Sequence, residues 1–522
     1  MKHFIVTFKP DDRQVSIHVG ATLLEAAGQA GIILNTVCGG KGTCKKCTLA
    51  LEPTGEQVLA CQYHIRKNLT VTIPQSSRLF EQKILSAGID TKTELQPDIY
   101  KKYSRPDPAS KILGLAIDLG TTTVVAKLID MTNGRCLATC ADLNPQIQYG
   151  DDVISRIHYA QTNTELTELH NKIIYCIAKL ITRLCSQSSI EPKYIYEACV
   201  VGNTTMNHIF LKFPITQLGQ APYRAFSVDS TDTPADKLSL PINPTGNIHT
   251  VENIAGFVGS DTTAVALATD IASADEMTLI VDIGTNGEIV LGSSDKLYAA
   301  SCAAGPALEG ARISCGSRAA EGAIETVVVN ENDIDFDVIG GTDPHSICGS
   351  GLIDAAAVLL NLGIIDSTGR FAEPQKLAGL PPAILSRIIK HKNQPAFVLA
   401  KQLLLTQQDI RQLQLAKSAI RTGTKLLQKK MGIADSDIKH IFLAGAFGNY
   451  IRRKNAVRIG LLPDIPHERI RFVGNAACSG AQMILLSTQA REQAKNLARR
   501  IEYVEIAHEK EFSNVFADEM LF

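Results

Sequence analysis

Four closely spaced cysteines near the start of the chain limit what it can fold into more than any other feature. Cys38, Cys44, Cys47 and Cys61 have five, two and thirteen residues between them. The chain has 13 cysteines in 522 residues, and an odd number in a chain of this length argues against a disulfide framework. We therefore expect these four thiols to bind a metal centre.

The spacing separates two kinds of metal centre. A zinc knuckle normally pairs two Cys-x-x-Cys units or uses histidine, and the sequence has one such unit, Cys44 to Cys47. Plant-type 2Fe-2S clusters have gaps of four and two residues and a distant fourth ligand, which is close to the spacing here. Gly39, Gly40 and Gly42 would let the loop curl with positive φ and point amide groups at the sulfurs. We expect a 2Fe-2S cluster, and we expect the other nine cysteines to be ordinary buried thiols.

The elements predicted around the cysteine loop form a small unit. Residues 3–8 and 14–19 alternate apolar and polar around a turn, which predicts a β-hairpin. Thr22 and Glu25 have capping-box spacing for a helix from Leu23 to Ala30, and strands are expected at 48–51 and 69–73. With its cysteines, the 1–75 segment resembles the β-grasp 2Fe-2S ferredoxins, although its first gap is one residue longer than the plant-type norm.

Residues 76–111 are polar and dotted with proline, so a linker is expected there. The formal net charge of −1, from 52 basic and 53 acidic side chains, gives no electrostatic footprint for nucleic acid. No apolar run reaches the roughly 20 residues that a membrane helix needs, and the first residues show no signal-peptide pattern. We expect a cytoplasmic α/β protein of several domains without a nucleic-acid or membrane partner.

Two similar turns suggest a nucleotide site in residues 112–522. Asp118-Leu-Gly-Thr-Thr and Asp282-Ile-Gly-Thr-Asn each follow an apolar strand. A single turn of this kind is more often structural, but two of them can hold one polyphosphate from opposite sides of a cleft. Either aspartate can bind Mg²⁺ through water. The candidate phosphate-binding residues are Gly120, Thr121, Thr122, Gly284, Thr285 and Asn286.

Gly445 and Gly448 follow a later buried strand and would let an adenosine lie flat against the backbone. Two phosphate turns followed by a glycine-rich adenosine turn resemble the actin, sugar kinase and heat-shock chaperone superfamily. That resemblance implies two ribonuclease-H-like lobes that close on ATP, lobe I at about 112–275 and 458–522 and lobe II at about 276–457. It also implies hinge segments at 200–205 and 473–481.

A ferredoxin unit ahead of such an ATPase resembles the reductive activators of corrinoid proteins. The specific marks are Ala303-Ala-Gly-Pro-Ala-Leu-Glu-Gly-Ala, which contains Gly305, and the stretches 347–354 and 409–420. Ligand contact and simple backbone geometry remain equal alternatives for the glycines in the first two marks. The sequence departs from longer members, which carry an extra domain before the first phosphate turn, and from relatives with C-terminal 4Fe-4S motifs.

The resemblance implies an ATP-dependent enzyme that passes one electron from its cluster to the Co(II) form of a corrinoid protein of a methyltransferase system, restoring Co(I). Its implied partners are that corrinoid protein, an electron-donating ferredoxin or reductase, and a second copy of the chain. Asp118 and Asp282 would hold Mg²⁺, and Glu288 or Glu309 would orient the attacking water. The alternatives are electron delivery to another metalloenzyme such as a dehydratase, or a nucleotide-gated clamp of a corrinoid protein. A sugar kinase is a weaker one.

Overall fold

The computed structural model describes residues 3–10, 12–30, 32, 34, 42–43, 45–74, 77, 93–102, 111–445 and 451–522. Three of the predicted site residues, Cys38, Cys44 and Gly448, lie outside these ranges, as do Gly39 and Gly40. The described part of the chain forms a small N-terminal sheet, two six-stranded sheets and two three-stranded sheets. No helix within it combines the length and apolar character needed to cross a bilayer.

The N-terminal unit is a five-stranded sheet packed against one helix. The predicted hairpin forms, with its strands antiparallel, and the first strand pairs in parallel with the fifth. The sheet order is second, first, fifth, third, fourth. Its elements are β1 (His3–Lys9), β2 (Arg13–His18), α1 (Leu23–Gln29), β3 (Thr48–Leu51), β4 (Glu56–Leu59) and β5 (Leu69–Thr72).

Helix α1 starts with the predicted capping box. The Thr22 amide donates to Glu25 Oε2 at 2.6 Å, and the Glu25 amide donates to Thr22 Oγ1 at 3.2 Å. Leu23 and Ala26 on this helix pack against Phe8 of β1, and all three are fully buried. Each large apolar side chain buried in this way contributes about 1.5–3 kcal/mol.

The predicted linker is shorter than expected at both ends. Ser77 is buried and donates its hydroxyl to the Thr48 carbonyl at 2.5 Å, so it packs with the N-terminal unit. The Gln96 amide donates to the Leu486 carbonyl at 2.9 Å, and the short helix α2 (Ile99–Lys102) follows it. Buried Ile99 belongs to the same apolar core as strands of the two large sheets. Residues 93–102 are therefore docked and do not belong to the linker.

The first large sheet is built around the strand that leads into the first phosphate turn. Strand β6 pairs antiparallel with β7 and parallel with β9. The sheet order is β10-β11-β9-β6-β7-β8. Its strands are β6 (Leu113–Leu119), β7 (Thr123–Asp130), β8 (Cys136–Leu143), β9 (Ile195–Gly202), β10 (Thr231–Pro234) and β11 (Asn247–Thr250).

Four helices accompany this sheet. Apolar positions of α4 at helical spacing, including Leu169, Ile173 and Ile177, are fully buried against the sheet. Thr162 caps α4 in a capping box with Glu165. The helices are α3 (Val153–Tyr159), α4 (Asn163–Ser188), α5 (Thr204–Leu211) and α6 (Ser260–Ala268).

The second large sheet repeats the same arrangement around the second phosphate turn. Strand β12 pairs antiparallel with β13 and parallel with β21, as β6 does with β7 and β9. The order is β22-β21-β12-β13-β14-β23. The predicted reuse of one strand-turn unit in each lobe is therefore visible in the topology. The strands are β12 (Thr278–Ile283), β13 (Gly287–Gly292), β14 (Leu297–Cys302), β21 (His440–Ala444), β22 (Ile470–Gly474) and β23 (Ile501–Tyr503).

Two three-stranded sheets and further helices complete the second lobe. Thr406 and Asp409 form a capping box at the start of the long helix α9. The elements between β14 and β21 are β15 (Ala323–Asn330), β16 (Asp333–Val338), β17 (Ser346–Ile347), α7 (Gly349–Asn361), α8 (Pro382–Ser386), β18 (Ile388–His391), β19 (Gln394–Ala400), β20 (Leu403–Thr406) and α9 (Gln407–Met431).

The last part of the chain corrects the predicted division into lobes. Its helices are α10 (Arg453–Arg458), α11 (Ala476–Leu486), α12 (Thr488–Arg500) and α13 (Phe512–Asp518). Helix α11 packs on α6 and β6 of the first lobe, as the prediction for 458–522 required. Strands β22 and β23, however, belong to the second sheet, and α13 packs on α9. The C-terminal segment therefore crosses between the lobes instead of belonging to the first alone.

Candidate functional site

The two predicted phosphate turns face each other across one cavity of about 160 Å³. Thr122 of the first turn and Thr285 of the second have their hydroxyl oxygens 3.4 Å apart. The lining includes every described residue predicted for the nucleotide site except Gly305. The predicted residues that line it are Asp118, Gly120, Thr121, Thr122, Asp282, Gly284, Thr285, Asn286, Glu288, Glu309 and Gly445.

Three side chains from the first lobe hold the first turn. Asn144 Nδ2 donates to the Gly120 carbonyl at 2.9 Å, and Asn203 Nδ2 donates to Thr121 Oγ1 at 2.9 Å. Arg156 is fully buried, and its Nη2 donates to the Thr121 carbonyl at 2.5 Å. These contacts fix the backbone of the turn before any ligand arrives.

Asp118, at the end of β6, receives a hydrogen bond from a distant part of the chain. Asn475 Nδ2 donates to Asp118 Oδ2 at 2.8 Å, and Asn475 also caps α11 by accepting from the Cys478 amide at 2.8 Å. Asn203 and Asn475 both lie in the segments predicted as hinges. Both segments thus reach the first phosphate turn directly.

The second turn is closed by its own backbone, with the Gly284 amide donating to the Asn286 carbonyl at 3.0 Å. Gly445 lies against this turn with a φ of +94°. A Cβ at Gly445 would lie 2.6 Å from the Ile283 carbonyl oxygen and 2.7 Å from Asp282 Oδ1. Only glycine fits this contact, which places the third predicted nucleotide element beside the second phosphate turn.

Glu309 connects the two turns. Thr122 Oγ1 donates to Glu309 Oε2 at 3.1 Å, and Thr285 Oγ1 donates to Glu309 Oε1 at 2.5 Å. Arg318 Nη2 lies 3.5 Å from Glu309 Oε2. The carboxylate is 6% exposed and therefore occupies the space between the two threonines. Gly305, four residues earlier, does not line the cavity, and its contact with the nucleotide stays a prediction.

Five carboxyl groups line the cavity, those of Asp118, Asp261, Asp282, Glu288 and Glu309, and the first four repel one another. Burial raises the pKa of Asp118 to about 7 and that of Asp282 to about 8, and neighbouring carboxylates add to both shifts. Burial, with the charges of Asp261 and Asp282, holds the pKa of Glu288 well above its ordinary value. Within the described ranges, no three metal-binding side chains converge closely enough to ligate an ion directly. A cation held here through water would relieve this repulsion.

Several of these residues are not among those predicted from the sequence. Asp261 is the second residue of α6, after Gly259 and Ser260, and a Cβ at Gly259 would lie 2.4 Å from the Asn203 Cα. The Gly-Ser-Asp sequence at the start of a helix was a usable signal. Arg156 and Arg318 gave no such signal. The sequence around an arginine in a polar stretch does not show whether its side chain is exposed or buried. Arg318 Nη1 is buried without a hydrogen-bond partner among the described residues.

Two of the four predicted cluster ligands lie among the residues that the structure describes, and these two are close in space. Cys47 and Cys61 are buried with their sulfurs 3.4 Å apart, and the Ala60 amide donates to the Cys47 carbonyl at 2.9 Å. Metal–sulfur bonds of about 2.3 Å put two tetrahedral ligands of one ion roughly 3.8 Å apart. The pair therefore fits a shared metal ion. The predicted partners Cys38 and Cys44 lie outside the described residues.

The remaining nine cysteines are buried, as predicted, with two exceptions. Cys136 is exposed and Cys315 is half-buried. Burial raises the pKa of Cys302 and that of Cys478, which keeps both thiols protonated. These two cysteines therefore behave as small apolar side chains.

Three stretches of the chain match known protein families. Residues 5–76 match the 2Fe-2S iron-sulfur cluster binding domain, residues 113–274 the RACo middle region, and residues 276–522 the C-terminal domain of RACo, the ASKHA domain. The last two matches meet where the second large sheet begins.

Full-length relatives agree with these matches. The chain is 35% identical over 594 aligned residues to the corrinoid activation enzyme RamQ of Eubacterium limosum, with 99% of each chain covered. It is 26% identical to the [Co(II) methylated amine-specific corrinoid protein] reductase of Methanosarcina barkeri, covering 78% of this chain and 77% of that one. A solved structure of a reductive activator for corrinoid, iron-sulfur protein is 32% identical, with a TM-score of 0.74 and 99% and 98% of the two chains covered. The alignment with RamQ exceeds 522 residues, so that relative carries residues without a counterpart here.

Proposed function

The chain belongs to the family of reductive activators of corrinoid proteins, and on that premise we propose that it uses ATP to deliver one electron to a Co(II) corrinoid protein. The product is the Co(I) form that accepts a methyl group. One observation carries the ATP part of this proposal: Thr122 and Thr285, from turns 163 residues apart in sequence, meet in a single cavity.

The nucleotide would lie with its phosphates between the two turns. The hydroxyls of Thr121, Thr122 and Thr285 line this space and are donors for phosphate oxygens. Gly445, with Gly448 as the predicted second glycine, leaves room for the adenosine. Mg²⁺ would be held through water by Asp118 and Asp282, where it neutralises phosphate charge.

Hydrolysis needs a group that orients the attacking water. Glu288 lies on β13 in the cavity, where burial, with the charges of Asp261 and Asp282, keeps its pKa high. A bound Mg²⁺ would cancel that repulsion and allow Glu288 to ionise and accept a hydrogen bond from the water. Glu309 is the second candidate, but its carboxylate is already engaged by Thr122 and Thr285.

The electron side of the proposal rests on the cysteine loop. Cys38, Cys44, Cys47 and Cys61 would hold a 2Fe-2S cluster, which supplies single electrons at a potential near −400 mV. A Co(II) corrinoid with a couple roughly 120 mV lower needs about 2.7 kcal/mol, within the range of a binding difference between two conformational states. An external ferredoxin or reductase would reduce the cluster again after each transfer. We further propose that the protein forms a homodimer and acts in the cytoplasm.

The test is optical spectroscopy of a Co(II) corrinoid protein mixed with this protein and a reductant, with and without Mg-ATP. We expect Co(I) only when ATP is present, and we expect Asp282→Ala and Cys47→Ser to abolish its formation. Cys136→Ser, at an exposed thiol outside both sites, is the matched control and should behave as the unmodified protein.

Two other outcomes would reject the proposal in different ways. Reduction of a different metalloenzyme, such as a dehydratase, with no reduction of any corrinoid protein would change the acceptor. Normal activation by Cys47→Ser would show that the chain acts as a nucleotide-gated clamp and that its cysteine loop donates no electrons.

A further inference from the structure

We propose that residues 305–313, here called the latch, hold the N-terminal unit against the ATPase lobes while the nucleotide cavity is empty and release it when ATP binds. The proposal rests on the proposed function, because it requires ATP in the cavity. It assigns Lys46, Glu309 and Gly310 a positioning role that the phosphate turns alone do not provide.

Lys46 of the N-terminal unit contacts the latch. Lys46 Nζ lies 3.4 Å from the carbonyl oxygen of Gly310 and 3.4 Å from that of Ile313. Lys46 is half-buried and immediately precedes Cys47, a predicted cluster ligand. An ammonium group shared by two carbonyls forms charge-assisted hydrogen bonds, which are stronger than neutral ones. The cysteine loop is thus attached to the latch directly.

The N-terminal unit also lies close to the first lobe. Burial and a hydrogen bond to Glu168 raise the pKa of the Tyr149 phenol, and the carboxylate of Glu25 on α1 adds to this rise. Tyr149 follows closely on Asn144, which holds the first phosphate turn. With Lys46 on the latch, the N-terminal unit therefore lies near both lobes.

Inside the cavity, the latch places an anion where a phosphate is expected. The two oxygens of Glu309 accept hydrogen bonds from Thr122 and Thr285, the same hydroxyls that would bind phosphate. Two anions cannot share these donors, because like charges at this distance repel and each would lose its hydrogen bonds. Nucleotide phosphates must therefore displace the Glu309 side chain.

The backbone links the displaced side chain to the lysine contact. Glu309 directly precedes Gly310, whose carbonyl accepts from Lys46, so a shift of one moves the other. Gly305 and Gly310 both have a φ of +73°, at the start of the latch and directly after Glu309. A Cβ at Gly310 would lie 2.1 Å from the Ser317 carbonyl oxygen, so this bend requires glycine.

Beyond the latch the chain is fixed. The Ser314 amide donates to Asp409 Oδ1 at 2.7 Å, and Asp409 belongs to the capping box of α9. Movement that begins at Glu309 is thus stopped at residue 314. Its effect is concentrated on the two carbonyls that hold Lys46, and the release of that lysine frees the cysteine loop to meet a partner protein.

The experiment is small-angle X-ray scattering of the full chain with its cluster loaded, with and without Mg²⁺ and a non-hydrolysable ATP analogue. Release should raise the radius of gyration by about a tenth over that of the nucleotide-free protein in the same oligomeric state, which is roughly 24 Å for a compact monomer of this length. Closure of the lobes alone would lower it. Lys46→Met should show the larger radius without nucleotide. Lys45→Met, which removes the neighbouring exposed charge, should behave as the unmodified protein.

Glu309→Gln gives a second, independent measurement by calorimetry. Without the competing charge, the analogue should bind about three- to tenfold more tightly, while the Lys46 contacts stay in place. An unchanged radius on adding analogue, a compact Lys46→Met variant, or weaker binding by Glu309→Gln would each overturn the latch. Visible absorption of the cluster checks that each variant is loaded. Co(I) formation by the unmodified protein, measured in parallel, separates failure of the latch from failure of the proposed function.

Discussion

The two phosphate turns have nearly the same sequence, but the structure supports them differently. The first is held from outside: Asn144 and Arg156 bind its backbone, and Asn475 binds its aspartate. The second is closed by a bond within itself, and among the described residues its side-chain hydrogen bonds come from Thr122 and Glu309. A repeated motif therefore need not play one mechanical role twice. We interpret the first turn as the fixed side of the cleft and the second, with Glu309, as the responsive side.

The largest expected effect concerns the aspartate that each of the two turns contains. Asp118→Asn and Asp282→Asn should each lower ATP-dependent Co(I) formation at least about 100-fold, because each removes charge that positions Mg²⁺ and phosphate. Both rates are measured at saturating Mg-ATP. A variant with near-normal rate would show that the two turns do not act on one nucleotide.

The next effect concerns the different ways in which the two turns are supported. Arg156→Met should lower the stability of the first lobe by about 3 kcal/mol or more, because it leaves three buried acceptors, including the Thr121 carbonyl, unpaired. Thr285→Val in the second turn should cost only about 1 kcal/mol, since Glu309 keeps Thr122 and Arg318 as neighbours.

Thermal unfolding without nucleotide measures both variants. Arg183→Met is the matched control for the arginine, because Arg183 is an exposed residue of α4 in a surface ion pair with Asp142. Equal losses for Arg156→Met and Thr285→Val would remove the distinction between a fixed and a responsive turn.

The last expected effect is a dependence on pH in the absence of metal and nucleotide. The folded pKa values of Asp118, about 7, and Asp282, about 8, lie above the ordinary 3.8. Folding therefore favours the protonated carboxyls. Their contribution to stability is fully present below the unfolded pKa and is lost as the pH rises through 7 to 8.

The Tm of the apoprotein should thus fall as the pH is raised from 5.5 to 8.5, and Asp282→Asn should fall less steeply and have the higher Tm at pH 8.5. Asp118→Asn should gain less, because Asp118 accepts a hydrogen bond from Asn475. A variant and an unmodified protein with parallel curves would contradict the raised pKa of Asp282.

Local chemistry explains what the sequence could predict. The cysteine spacing, the Thr22 capping box and the Asp-x-Gly-Thr turns are defined by residues close in sequence. They can therefore be recognised from the sequence alone. The approach of Asp261 to Asp118 and that of Glu309 to Thr122 each bring together residues more than about 140 positions apart in sequence. The lobe assignment of 458–522 failed for a related reason: an amphipathic helix or a short strand shows which face is buried but not which sheet buries it.

The docked segment at Gln96 has a consequence for how the electron donor finds its target. With Ser77 packed on the N-terminal unit and Gln96 bound beside α11, only residues 78–92 separate the two anchored regions. Even fully extended, that length spans no more than about 55 Å. The cysteine loop is therefore confined near the lobes at an effective concentration of a few millimolar. In the proposed function, electron delivery to a corrinoid protein already bound to the lobes is an intramolecular reaction, so its rate should be insensitive to dilution of the activator.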